Sequence, residues 1–328
     1  MTDPRNDGGD LDIGRAMNAA PAAIEKRTEQ SASPLRTWLG RLAPWILAVL
    51  VLVALLHKYD PALVAAQMRA GSWAAMAPLA MVPPFYYLLV HGLCDTVIFR
   101  TALGSNLRWR DVVRGRSGTA MLMLLGYVFG NGAMGVWLAR RTGAKARTVT
   151  GAVLYGMLSD LAAVSLVTAV STFLAEIPSS VRILALVLAA IPIALALVGP
   201  TVFARTTAPF LAAWRVIPGA IGVAQIVGRA LDIAVVVVIA WSAARAFGMP
   251  IPLAAFAAYM PVILLASSLP ISVAGFGAAQ AAWLVFLPWA PGEQILAFQL
   301  LWQLFFGLGL VLRGAPFVRG VVREIRGT

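Results

Sequence analysis

Only one cysteine, Cys94, occurs among the 328 residues, so no intramolecular disulfide can form. Charge is scarce: Asp, Glu, Lys and Arg make up 12% of the chain, where soluble domains carry about 25%. The two histidines, His57 and His91, lack the His, Cys or acid spacing that a metal ion needs. No Walker loop, HExxH or GxSxG occurs. Ser159 and Asp160 are adjacent, which does not place the hydroxyl for activation by a base. "GNGAMG" (130–135) follows no strand and is not a dinucleotide loop. These absences exclude the common enzyme classes and any cofactor. The ten-residue alternation of a membrane β-barrel is also missing, and so is the charged start running into a cleavable apolar core that marks a signal peptide.

What is abundant is apolar surface. Hydrophobic residues are 60% of the chain, and several windows reach the roughly 18–20 residues that cross a hydrocarbon core. The fold class is an all-α polytopic membrane protein. The net charge of +12 does not point to nucleic acid, because the bases sit in short loops between apolar segments. There they set orientation and touch anionic headgroups. Residues 1–38 hold six acids and five bases and read as a disordered cytoplasmic tail. Residues 39–316 form the transmembrane domain, and 317–328 a basic cytoplasmic tail.

Eight apolar segments can be marked, at 42–57, 73–99, 117–138, 149–174, 181–204, 217–246, 251–288 and 294–313. Two basic loops flank the third: "RTALGSNLRWRDVVRGR" (100–116) and "RRTGAKAR" (140–147). If 117–138 crosses, these loops face opposite sides. Eight simple crossings then put 17 bases inside and 8 outside. If 117–138 is instead a re-entrant hairpin from the inside, and 251–288 a second from the outside, 21 lie inside. Only Lys58, Arg69, Arg182 and Arg245 remain outside. The tendency of short basic loops to stay cytoplasmic favours both hairpins together. Gly126, Gly130, Gly132 and Gly135 permit turns in the first. In "LPISVAGFGAAQAAWLVFL" (269–287), Pro270, Ser272, Gly275 and Gly277 break the second. Two half-helices of about 15 residues would each reach mid-membrane and return. Irregular backbone at that depth must be buried in protein or line a wet cavity. The expectation is about six transmembrane helices around two opposed hairpins, the arrangement of an inverted-repeat transporter.

Ionisable groups inside apolar segments normally face a cavity or a partner. Asp160 lies mid-segment, and Arg229 and Asp232 are three apart on one helix face. Arg229 is expected to pair with Asp232 or with Asp160. Asp95 and His91 lie close to a helix end, and Asp95 reads as reaching the interface near Arg100. Gln299 and Gln303 share a face of the last segment, to glue helices or to line the cavity. Trp289, Trp302, Tyr86 and Tyr87 read as packing or belt residues. In the expected site, Asn131, Ser272 and Gln280 contact a headgroup. Gly132, Gly135, Gly275 and Gly277 allow close backbone approach. Asp160, Arg229 and Asp232 set the cavity's charge, with Asp160 as a proton or ion site.

Residues 40–320 resemble the lysylphosphatidylglycerol synthase transmembrane-region family, the flippase-like domain. Its usual P-x-S-P-G-G-x-G-x-x-E is matched here by Pro270, Ser272, Gly275 and Gly277, with Val273, Ala274 and Gln280 as departures. "NGAMGVWLARRTGAKA" resembles a second family motif through Asn131 and Gly135, with Val136 and Ala139 where Glu and Arg are usual. Asp160 fits the acid of E-R-x-x-D, with Gly156 and Met157 replacing its charged pair, and Gln303 occupies a usual arginine. The resemblance implies translocation of a polar-headgroup lipid (a phospholipid, or a polyprenyl-linked or hopanoid-type lipid) across a bacterial inner membrane, with both termini cytoplasmic. It implies membrane lipids as partners and no soluble synthase domain. The four neutral positions 136, 139, 280 and 303 keep a second reading open: a non-transporting subunit of a lipid- or glycan-modifying enzyme complex.

Overall fold

The computed structural model describes residues 46, 49–55, 57–124, 126–174, 179–268 and 278–326. Among these it is helical, with no strand. In chain order the helices are α1 (Pro61–Ala70), α2 (Trp73–Leu103), α3 (Trp109–Met123), α4 (Tyr127–Thr142), α5 (Ala146–Ser171) and α6 (Ser179–Val202). They continue with α7 (Ala212–Val216), α8 (Gly219–Ala246), α9 (Leu253–Ser268), α10 (Ala278–Trp283) and α11 (Gly292–Arg326). Five are long and apolar enough to cross a membrane: α2, α5, α6 from Arg182, α8 and α11. Of the sixth expected crossing, 42–57, the structure describes residues 46, 49–55 and 57, all helical.

The polarity of the bundle is inverted relative to a soluble protein. Val82, Phe85, Leu89 and Leu93 form an exposed stripe on α2, and Leu304, Leu308 and Leu312 form another on α11. On α8, Leu231 is 64% exposed, whereas Arg229 is 0% and Asp232 2% exposed. Continuous exposed apolar surface together with buried charge is what a lipid solvent selects. The chain is a multi-pass membrane protein.

Segment 117–138 is not one helix. The pair α3–α4 runs from 109 to 142, and each helix, 15 and 16 residues, rises only about 22–24 Å. Between them Gly126 has φ 146°, a value that a side-chain-bearing residue rarely adopts. The two helices fold back on each other. A Cβ at Gly115 would fall 2.6 Å from the Trp137 ring, and one at Gly130 2.2 Å from Met123. Asp111 accepts from the Arg108 amide and from Arg141 Nη2, each at 3.0 Å, and so ties the start of α3 to the end of α4. The sequence reading placed 100–116 in a loop. Instead α2 continues to Leu103 and α3 begins at Trp109, because the arginines of 108–114 occupy an exposed face.

Segment 251–288 also turns back. Phe256 stacks on Phe286 at 5.1 Å, and Tyr259 meets the same ring edge-on at 6.2 Å. The halves are unequal: α9 has 16 residues, whereas α10 has six, followed by a single 3₁₀ turn, Leu284–Phe286. The tip, with Pro270, Ser272, Gly275 and Gly277, lies outside the described residues.

The two ends of the bundle have separate apolar cores. One gathers Phe99, Trp137, Leu138, Tyr155, Trp214 and Val321 near the basic loops. The other gathers Tyr59, Phe247, Phe256, Phe286 and Phe298 at the opposite end. Residues 317–326, read as a tail, continue α11. Their Val321 is buried, and Glu324 accepts from Trp137 Nε1 at 2.8 Å.

Close packing fixes which glycines matter. A Cβ at Gly151 would lie 2.2 Å from the Phe210 carbonyl oxygen, on backbone that cannot rotate away, whereas Gly132 has nothing within 4 Å. Gly151→Val should therefore destabilise the purified protein by about 1–3 kcal/mol. Gly132→Ala should leave its thermal unfolding unchanged or raise it slightly.

Candidate functional site

Between the two apolar cores lies a layer of buried ionisable groups. α8 supplies Arg229, at a point where its neighbours on α2 and α5 each present a carboxylate. Arg229 Nη2 donates to Asp95 Oδ1 at 2.6 Å, and Nη1 donates to Asp160 Oδ1. Asp95 Oδ2 accepts from Arg116 Nε of α3 at 2.5 Å. Arg116 Nη1 donates to Asn131 Oδ1 on α4 at 3.0 Å, and Asn131 Nδ2 to the Tyr127 carbonyl at 3.0 Å. Tyr127 Oη donates to Asp160 Oδ2 at 2.9 Å, which closes the ring. The first hairpin is thus bonded through side chains to α2 and α5, and linked to α8 only by way of Asp95 and Asp160, which Arg229 bonds.

His91 extends the layer. Its Nδ1 lies 3.0 Å from Arg229 Nη1, and a guanidinium can only donate, so Nδ1 accepts. The proton sits on Nε2 and is donated to Asp232 Oδ2 at 3.1 Å. His91 Nδ1 also comes within 3.4 Å of Asp160 Oδ1. Tyr87 stacks on the ring at 3.7 Å.

The three carboxylates are held differently. Asp95 has two guanidiniums, Asp160 a guanidinium and a phenol, and Asp232 one imidazole N–H. Asp232 Oδ1 is buried and has no partner among the described residues. The expected pairing of Arg229 with Asp232 does not form; pairing with Asp160 does. Asp95 is not at the interface beside Arg100 but fully buried at the centre.

A cavity of about 310 Å³ opens beside this layer. Met123, Leu124, Gly126 and Tyr127 at the turn of the first hairpin line it, as do Ser267, Ala279 and Trp283 from the second. Its polar pole holds Tyr87, His91, Asp160 and Asp232. Gln299, Gln303 and Arg313 reach it from α11, and the remaining wall is apolar.

Of the residues expected from the sequence, Asn131, Asp160, Arg229 and Asp232 are brought together, and Gln303 lines the cavity. Gln280 is buried on α10, while its neighbours Ala279 and Trp283 face the cavity. Gly132 has open space around it and Gly135 only Val153 at 3.9 Å, and neither lines the cavity. The close packing inside the hairpin is at Gly115 and Gly130 instead. Ser272, Gly275 and Gly277 lie outside the described residues. The sequence reading missed Arg116, Tyr127 and Arg313. Arg116 ends one basic run and Arg313 begins another, and both were counted with the charges outside the membrane, yet each is only 3% exposed. Tyr87 and Trp302, read as packing residues, line the cavity.

No family model and no curated protein matches the chain, so the resemblance described above rests on its quoted motifs.

Removing one member of a buried ionic ring strands the others. Arg229→Met should cost about 3–5 kcal/mol, because Asp95 and Asp160 both lose a counter-charge. Asp232→Asn should cost less than about 1 kcal/mol, since an amide oxygen can still accept from His91 Nε2. Thermal unfolding of the two variants in one detergent compares them.

Proposed function

We propose that this protein moves a lipid with a polar headgroup across the membrane, through the cavity between its two hairpins. The observation that carries this reading is the composition of that cavity. An apolar wall with one charged pole suits an amphiphile, and a volume of about 310 Å³ is at the small end of ligand pockets. Both hairpins contribute to its lining, and in this reading each is re-entrant, from opposite sides of the bilayer. The headgroup sits against the polar pole at mid-depth while the acyl chains remain in lipid. The motif resemblance to the flippase-like domain agrees with this, and the reading puts the protein in a bacterial inner membrane with both termini cytoplasmic.

The ionic layer serves transport by neutrality. Each guanidinium that faces Asp95 or Asp160 cancels a charge that would otherwise have to be solvated, so the ring through Arg229, Asp95, Arg116 and Asp160 brings no net charge of its own to the cavity. One feature favours the second reading, a non-transporting subunit of a lipid- or glycan-modifying complex: the ring through Arg229, Asp160, Tyr127, Asn131, Arg116 and Asp95 closes on itself without a ligand.

Proteoliposomes carrying a headgroup-labelled phospholipid test the choice. With a membrane-impermeant quencher outside, transport predicts that more than half of the label becomes quenched. It also predicts that filling the cavity by Leu264→Trp restores the half-protected value of empty liposomes. Protection at one half with the wild-type protein would leave the subunit reading.

A further inference from the structure

Three residues that line the cavity carry buried atoms that lack partners among the described residues: Arg313 (Nε and Nη2), Gln299 (Oε1) and Asp232 (Oδ1). Arg313 is the most informative. Its side chain lies on α11, and the residue is 3% exposed. Through Nη1 it donates to the Pro84 carbonyl, and its Cζ lies 5.9 Å from the centre of the Tyr87 ring. No carboxylate among the described residues comes within ion-pair distance of it, although Asp95 and Asp160 are both paired a short way off. A buried guanidinium that is short of a counter-charge and of two hydrogen bonds is costly unless something fills the place.

The unpartnered atoms on the same wall have the opposite character. Gln299 Oε1 and Asp232 Oδ1 are acceptors only. The chain of contacts from Arg313 to Tyr87, His91 and Asp232 sets the donor site and the acceptor site apart along one face of the cavity. A ligand that satisfies both must carry an anionic oxygen group at one point and an N–H or O–H donor at another. The apolar remainder of the wall requires that an acyl or polyprenyl body be attached.

From this we infer a binding site in which Arg313 holds the phosphodiester of an amphiphile, while Asp232 Oδ1 and Gln299 Oε1 accept from a donor group on its headgroup. The inference rests on reading the cavity as the seat of a lipid headgroup and names the class of headgroup. The planar fork of arginine suits two phosphate oxygens at once. A headgroup that lacks the donor leaves the two acceptors unpaired, which is the strongest form of discrimination that a polar site has.

Equilibrium binding to the full chain in detergent tests this without any transport. The probes are dioctanoyl phosphatidylethanolamine, dioctanoyl phosphatidylcholine, dioctanoylglycerol and free phosphoethanolamine. Phosphatidylcholine keeps the phosphate but has no N–H, and dioctanoylglycerol has no phosphate. Phosphatidylethanolamine should bind about tenfold or more tightly than either. Free phosphoethanolamine should bind more weakly still, because the apolar wall is left empty. Arg313→Gln should abolish the preference over dioctanoylglycerol, and Gln299→Leu should reduce only the preference over phosphatidylcholine. Arg313→Lys, which keeps the charge but not the fork, should retain part of the phosphate preference and controls for loss of the fold.

Equal affinity of the wild-type protein for phosphatidylethanolamine and dioctanoylglycerol would overturn the inference. So would free phosphoethanolamine binding as tightly as the lipid. Selective binding without movement of label in liposomes would remove the transport reading and leave this site standing. Transport with no headgroup preference would do the reverse.

Discussion

The Arg229 guanidinium is the point on which the rest of the structure depends. One planar group on α8 bonds a carboxylate from α2 and another from α5. An isolated ion at this depth would cost several kcal/mol. Two carboxylates and one guanidinium leave a charge over, which Arg116 of α3 supplies by taking the second oxygen of Asp95. The half-length helices α3 and α4 thereby gain a fixed position. Neither is long enough to span lipid, and exposed stripes do not determine where a short hairpin stops. The bonds from Arg116 to Asp95 and Asn131, and from Tyr127 to Asp160, do.

From that arrangement the cavity follows. Met123, Leu124, Gly126 and Tyr127, at the turn of α3–α4, face a gap that Ser267, Ala279 and Trp283 line from the second hairpin. The gap is bounded by charge on one side and by aromatic and aliphatic groups on the other. The apolar cores at the two ends hold the helices together above and below, so the centre can stay open without loss of the fold. A membrane protein lacks the water-driven force between helices. Its specific bonds must then sit where positions matter most, and here that is around the cavity.

The class of fold was legible in the sequence because it rests on long apolar runs and on where the bases fall. That 117–138 is interrupted was legible for the same reason: Gly126 breaks a run that otherwise reads as helix, whereas the interruption expected at 269–277 lies outside the described residues. Asn131, Asp160, Arg229 and Asp232 stood out as polar residues in apolar segments. The partners were harder to read. Arg116 and Arg313 lie at the edges of basic runs, and only helix phase separates a buried arginine from an exposed one a turn away. Asp95 looked interfacial because α2 was taken to end at 99; with the helix running to Leu103, its carboxylate lies two turns inside. Ion-pair choice is three-dimensional: the sequence left Arg229 to Asp232 or Asp160, and the fold pairs it with Asp160 while Asp232 faces His91 from another helix.

The account stands on both hairpins entering and leaving at their own side of the bilayer. Single cysteines at Asn106, Lys145 and Pro291, all exposed positions, test it in a Cys94→Ala background, with a membrane-impermeant thiol reagent applied to sealed vesicles of known orientation. Labelling at 106 and 145 from the same side, and at 291 from the opposite side, is the predicted result. Positions 106 and 145 labelled from opposite sides would mean that residues 109–142 cross the membrane, and the central cavity between opposed hairpins would not exist.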